Sequence, residues 1–205
     1  SILHLLILPL IFIRFFHKIP YRISDDDSTT GNIIAIVKHN RLSRCHCAYR
    51  FFKYTMDLIM SVIENYPRPV LRVLMNSLST HDTERAITVM AGEPLDGKDR
   101  EWQADTKLDD EHKKLGVKLL KVASAMQFTL PGFPCIYYGD EAGMEGYRDP
   151  FNRCCYPWGK ENKELIEWHK KLADVRKSCS ALWDGDFICL LYTSDAADDT
   201  PCGDL

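Results

Sequence analysis

Four short runs of the sequence carry side chains able to do chemistry. Ser79-Thr80-His81-Asp82-Thr83-Glu84-Arg85 follows an apolar stretch and sets an imidazole beside a carboxylate. Gly139-Asp140-Glu141 follows a second apolar stretch. Asp149 and Arg153 stand four apart in Asp149-Pro150-Phe151-Asn152-Arg153. Cys45-His46-Cys47 is too tightly spaced to chelate one zinc ion without other ligands. A His-Asp pair can serve catalysis, metal binding or hydroxyl recognition; it can equally be a loop-capping Asp beside a partly exposed His. Glu141 is read as a structural carboxylate, and Cys135, inside an apolar run, as a small buried hydrophobe.

Helices and short apolar runs alternate to position these residues. Phe52, Met56, Ile59 or Met60, and Ile63 recur at three- and four-residue steps, which predicts a helix from Phe51 to Asn65. Tyr66-Pro67-Arg68-Pro69 stops it. Val70 to Leu78 is short enough for a buried strand, with His81 and Asp82 just past its end. A polar loop is predicted from Ala91 to Asp110. Asp109 and Asp110 can cap the next helix, and Glu111 suits its first turn. Its predicted buried face is Leu115, Leu119, Val122, Met126 and Leu130, with Lys113, Lys114, Lys118 and Lys121 on the wet side. Pro131-Gly132-Phe133-Pro134 breaks the helix, and Cys135-Ile136-Tyr137-Tyr138 reads as a fully buried strand. A last helix is predicted from Asn162 to Ser180, with a stripe of Leu165, Trp168, Leu172, Val175 and Cys179. This alternation predicts an α/β fold with parallel strands. Such folds bind ligands at the C-terminal ends of the strands, where His81, Asp82, Asp140 and Glu141 stand.

Composition narrows the class. The chain has 205 residues, 45% hydrophobic and 27% charged, with a net charge of −3. These values fit ordinary globular material and exclude collagen, coiled coil and wholesale disorder. The charge balance provides no field for nucleic acid or an anionic membrane surface, so neither partner is expected. Residues 1–16 are apolar, but His4, Pro9 and Arg14 interrupt a run shorter than the roughly 20 residues of a spanning helix. The eight cysteines show no framework spacing, and a reducing cytoplasmic location is expected. Residues 1–48 lack coherent periodicity and are expected to be a non-homologous or out-of-frame leader. Residues 49–185 form the expected domain. Residues 186–205 are expected to be a truncated segment, because Cys189 to Asp199 resembles the translation of a sequencing-library adapter.

The motifs also carry a resemblance. Ser79 to Arg85 resembles the strand-seven signature of the alpha-amylase superfamily of glycoside hydrolases, and Gly132 to Glu141 resembles its strand-eight signature. Asp149 to Arg153 resembles a further element of the neopullulanase and cyclomaltodextrinase branch. Thr80 stands where many alpha-amylases have Asn, which fits that branch. The resemblance implies the last strands and helices of a (β/α)8 TIM barrel, with the start of a C-terminal β-domain cut off. It implies retaining hydrolysis of α-1,4 and α-1,6 glucosidic bonds by paired carboxylates. Asp82 matches the carboxylate that clamps ring hydroxyls in the transition state, and His81 would donate to the same sugar. Asp149 and Arg153 match substrate-binding positions, where a carboxylate and a guanidinium can hold adjacent hydroxyls.

The family's nucleophile lies in a G-x-R-x-D motif on strand four, and its acid Glu follows on strand five. Neither motif occurs in this sequence. The expectation is therefore a C-terminal fragment of an α-glucan hydrolase, itself inactive, from a parent acting on α-glucans or maltooligosaccharides, with monomer and homodimer both open for that parent. No organic cofactor and no metal is expected. One alternative is a catalytically dead barrel serving as a scaffold or transporter-associated subunit. Another is a small redox or metal protein using the cysteines.

Overall fold

The computed structural model describes residues 55–188. The predicted leader, the first turn from Phe51, Cys45-His46-Cys47 and the adapter-like tail from Cys189 lie outside the described residues. Two compact units divide the chain. In one, residues 55–65 are helical (α1), with Ile59 and Met60 buried. Asn65 ends this helix by donating from Nδ2 to the Ser61 carbonyl, 2.6 Å away.

The other unit holds residues 66–186. Its proline pair stops one helix and begins another. Pro67 takes the extended N-cap conformation of α2 (Arg68–Leu71) and Pro69 falls in the first turn. A missing N–H costs nothing there, because first-turn N–H groups have no intrahelical partner. The strand predicted from Val70 to Leu78 is accordingly shortened to β1, Met75–Ser77. Apolarity over this stretch could not separate a helical turn from a strand.

β1 pairs in parallel with β2, Phe133–Cys135, in the register Met75 with Phe133, Asn76 with Pro134 and Ser77 with Cys135. The fully buried strand predicted at Cys135 to Tyr138 is therefore misplaced: only Cys135 lies in β2, it is partly buried, and Ile136 and Tyr138 are exposed beyond the strand. Gly132 makes the earlier start possible. Its φ is +116°, and a Cβ there would lie 2.7 Å from the Leu74 carbonyl oxygen. Asn76 Nδ2 donates to the Pro131 carbonyl at 3.0 Å, drawing the incoming chain alongside β1.

The crossover between the strands contains α3 (Ala86–Ala91), α4 (Arg100–Asp105) and α5 (Asp110–Thr129). Sequence reading assigned the α4 region to a polar loop. Its signal was Asp99, whose carboxylate accepts from the Trp102 N–H at 2.8 Å. Asp109 caps α5 as predicted, accepting from the His112 N–H at 2.8 Å. The α5 face is rotated from the prediction. Gly116, Val117, Leu119, Leu120, Ala123, Ser124, Gln127 and Phe128 are buried, while Leu115, Val122 and Met126 are only partly so. Gly116 explains the rotation, for a Cβ there would sit 2.7 Å from Ile87 Cγ1, so α3 and α5 approach at a bare backbone. Gln127 is buried because it works as a bracket: Nε2 donates to the carbonyls of Asn76 (2.7 Å) and Cys135 (2.9 Å), one on each strand.

After β2 the chain forms a 3-10 turn, Phe151–Arg153, then α6 (Lys163–Ser178) and α7 (Ala181–Asp184). Asn162 caps α6. The predicted α6 stripe holds in its first half only. Leu165 is fully buried and Trp168 donates from Nε1 to the Lys121 carbonyl and Ser124 Oγ, but Val175 and Cys179 are exposed. In this second half it is Arg176 that reaches inward, donating to the carbonyls of Phe128 in the last turn of α5 and of Gly132 beyond it. The core joins Leu78, Ala86, Ile87, Met90, Val117, Leu119, Leu120, Ala123 and Leu165.

Candidate functional site

Beyond β1 the chain turns back within four residues. Thr83 Oγ1 accepts from the Thr80 N–H at 2.9 Å, and Thr80 Oγ1 accepts from the Asp82 N–H at 3.3 Å. Ser79 Oγ then accepts from the Ala86 N–H at 2.8 Å and anchors the start of α3. His81 and Asp82 project from the apex of this turn, with side chains 67% and 71% exposed. His81 Nε2 lies 3.1 Å from Asp82 Oδ2.

The run after β2 brings the other two predicted residues to the same place. Arg153 Nε lies 2.8 Å from Asp149 Oδ1 and donates to the His81 carbonyl at 3.2 Å; its Nη2 is 3.6 Å from Asp82 Oδ1. The four sequence-predicted residues, 67 or more positions apart across the two runs, therefore form one cluster around a single guanidinium. The exposed array alternates carboxylate, cation and carboxylate with an imidazole at its edge. Such an array can accept from and donate to neighbouring hydroxyl groups through directional, charge-assisted bonds.

Two buried residues beneath the cluster were not singled out by sequence reasoning. Arg85 is fully buried. Its Nε donates to the Asn152 carbonyl at 2.8 Å, and Nη1 donates to the Tyr138 carbonyl and lies 3.2 Å from Asp140 Oδ1. The rings of Tyr137 and Tyr138 cover the guanidinium at 4.3 and 4.7 Å. Asn152 is also fully buried, and its Nδ2 reaches the carbonyls of His81 and Thr83 at 2.8 and 2.7 Å. Both residues lie inside the quoted runs, but residue type alone carries no sign of burial.

Burial pushes the Asp140 carboxyl up to about 6, against hydrogen bonds from Ser79 and the charge of Arg85, which lower it. Asp140 is thus the structural counter-ion of Arg85. Glu141, expected to be a buried structural carboxylate, is only partly buried and accepts from the Gly139 N–H at 2.9 Å. Tyr138 Oη donates to the Cys154 carbonyl at 2.9 Å, and the thiols of Cys154 and Cys155 are free. Trp158 is 82% exposed with its ring tilted against Tyr156, whereas Trp168 is half-buried on α6.

The two parallel strands thus deliver a His-Asp pair and an Asp-Arg pair to one end, the end at which α/β folds bind their ligands. The chain belongs to the alpha-amylase family: the alpha amylase catalytic-domain model matches residues 26–186. It is 40% identical over 137 residues to an amylopullulanase of Thermoanaerobacter thermohydrosulfuricus, covering 67% of this chain and 9% of the relative. It is 38% identical over 145 residues to a cyclomaltodextrinase of Geobacillus thermopakistaniensis, covering 70% of this chain and 20% of the relative. Among solved structures, the ligand-free cyclic alpha-maltosyl-(1→6)-maltose hydrolase of Arthrobacter globiformis matches with a TM-score of 0.53 at 26% identity, covering 67% of this chain and 27% of that one. The chain thus spans a fifth or less of the two curated relatives. Its strands and helices are part of a (β/α)8 barrel, as the motifs implied.

Proposed function

We propose that this chain supplies the strand-seven and strand-eight portion of the active site of a retaining α-glucan hydrolase acting on α-1,4 and α-1,6 glucosidic bonds. The observation that supports this reading is the meeting of Asp82, Asp149 and the His81 carbonyl at the Arg153 guanidinium. Asp82 accepts hydrogen bonds from two ring hydroxyls of the sugar at the cleavage point. Those bonds strengthen as the ring flattens and positive charge develops, so Asp82 stabilises the transition state more than the ground state. His81 donates to a hydroxyl of the same sugar. Asp149 and Arg153 bind a glucose ring in ground and transition state alike. The nucleophile and general acid come from barrel segments beyond these motifs, and the chain alone hydrolyses nothing.

The test assays the longer protein that carries this segment, and the 205-residue chain beside it, on maltotriose and pullulan. The longer protein is expected to hydrolyse both, and the chain neither. Asp82→Asn in the longer protein is expected to lower kcat by about 3–4 kcal/mol of barrier, with KM little changed. A loss below about tenfold would make Asp82 structural. A longer protein inert on every glucan would favour a dead barrel with a scaffold role.

A further inference from the structure

We infer that Asn152 is the positioning residue that fixes Asp82 for its part in the reaction, an inference that rests on the role proposed for Asp82. Asn152 sits in the 3-10 turn Phe151–Arg153, on the run that also carries Asp149 and Arg153. Its Nδ2 has two hydrogens and three carbonyl oxygens in reach: Thr83 at 2.7 Å, His81 at 2.8 Å and Thr80 at 3.4 Å. The two short contacts go to the residues immediately before and after Asp82. The amide therefore clamps the backbone on both sides of the carboxylate that must meet the sugar.

Three observations separate this clamp from ordinary core filling. The Asp82 side chain is 71% exposed, and its contacts are the exposed side chains of His81 and Arg153, so its place is set through the backbone. Asn152 Oδ1 is buried without a partner among the described residues. The amide oxygen has no partner while the N–H2 group has two short ones, so it is the N–H2 group that the position uses. Finally, the Asn152 carbonyl accepts from Arg85 Nε, and Arg85 is held in turn by Asp140 and the Tyr138 carbonyl. The clamp is thus itself referenced to the end of β2, so one amide sets the distance between the His81-Asp82 turn and the Asp149-Arg153 run.

Two measurements test this. In the 205-residue chain, amide hydrogen exchange at Thr80, Asp82 and Thr83 is compared between wild type and Asn152→Leu, with α5 as internal reference. The expected result is exchange at least about tenfold faster in the turn with α5 unchanged. Equal loosening of turn and α5, or no change in the turn, overturns the clamp. In the longer protein, Asn152→Leu is expected to lower kcat by about tenfold or more with KM held within about twofold, and to add little on top of Asp82→Asn. Additive losses in that double variant, or a rise in KM alone, overturn the positioning role. Asn152→Ser keeps one donor and serves for both measurements if Asn152→Leu does not fold. Its effects are expected in the same direction and smaller, and wild-type exchange and kcat overturn the inference. An Asp82→Asn variant with full activity would instead remove the role proposed for Asp82, while the exchange experiment still reads the clamp.

Discussion

Asp140 is buried against a buried arginine, and the two partners impose opposite demands. Removal from water favours the neutral acid, while Arg85 favours the carboxylate. Burial prevails, and the carboxyl is raised from 3.8 to about 6. The folded chain therefore keeps a proton that the unfolded chain releases near 3.8. Stability from this group is fully present below that interval and falls as pH rises through it. A displacement of roughly two pH units corresponds to on the order of 3 kcal/mol. Other carboxylates titrate nearby, so the readout is a difference. Urea unfolding of wild type and Asp140→Asn between about pH 4 and about pH 7 should show wild type losing stability relative to the variant as pH rises. A flat or rising difference would mean that Arg85 holds Asp140 ionised throughout. At this scale the exposed cluster was legible because His81, Asp82, Asp149 and Arg153 belong to short runs with recognisable order. Arg85 and Asn152 were not, because their work depends on burial, and burial of an arginine or asparagine leaves no periodic trace.

α5 shows what an amphipathic pattern can and cannot tell. Its existence, its cap at Asp109 and its wet lysines were legible. Its buried face was not, because apolar periodicity counts large side chains, whereas the contact with α3 is made at the smallest one. Gly116→Ala tests this directly. Alanine gains about 1 kcal/mol of helix propensity over glycine. Its Cβ would stand 2.7 Å from Ile87 Cγ1 and 3.2 Å from Ala91 Cβ, and Ile87 is itself fully buried. Overpacking of this kind costs about 1–3 kcal/mol. The expected net result is lower stability by chemical denaturation, restored in part by Ile87→Val. An increase in stability would show that α3 can back away freely. The strands were misplaced for a related reason. β1 and β2 have three residues each, too few for a period to register, and their limits are set by Pro69 and Gly132 rather than by apolarity.

Within residues 66–186 the two parallel strands carry an unusual load of exposed apolar surface. Met75 and Phe133 lie opposite one another in the register and are 66% and 65% exposed, with Val73 close by in sequence at 71%. Parallel strands are ordinarily covered on both faces and paired on both edges. In a (β/α)8 barrel the neighbouring strands supply that cover, and the chain spans only 20% of the cyclomaltodextrinase it resembles. Pro134 removes one ladder donor and so blunts the β2 edge, and β1 itself (Met-Asn-Ser) contains no proline. The 205-residue chain should therefore self-associate at micromolar concentration through this surface. Sedimentation velocity over a dilution series should show mass rising with concentration. The pair Met75→Glu and Phe133→Lys sets opposite charges across the register and should restore a monomer while leaving the far-ultraviolet circular dichroism unchanged. A wild-type chain that stays monomeric, or variants that associate as strongly as wild type, would show that some other part of the chain covers the sheet.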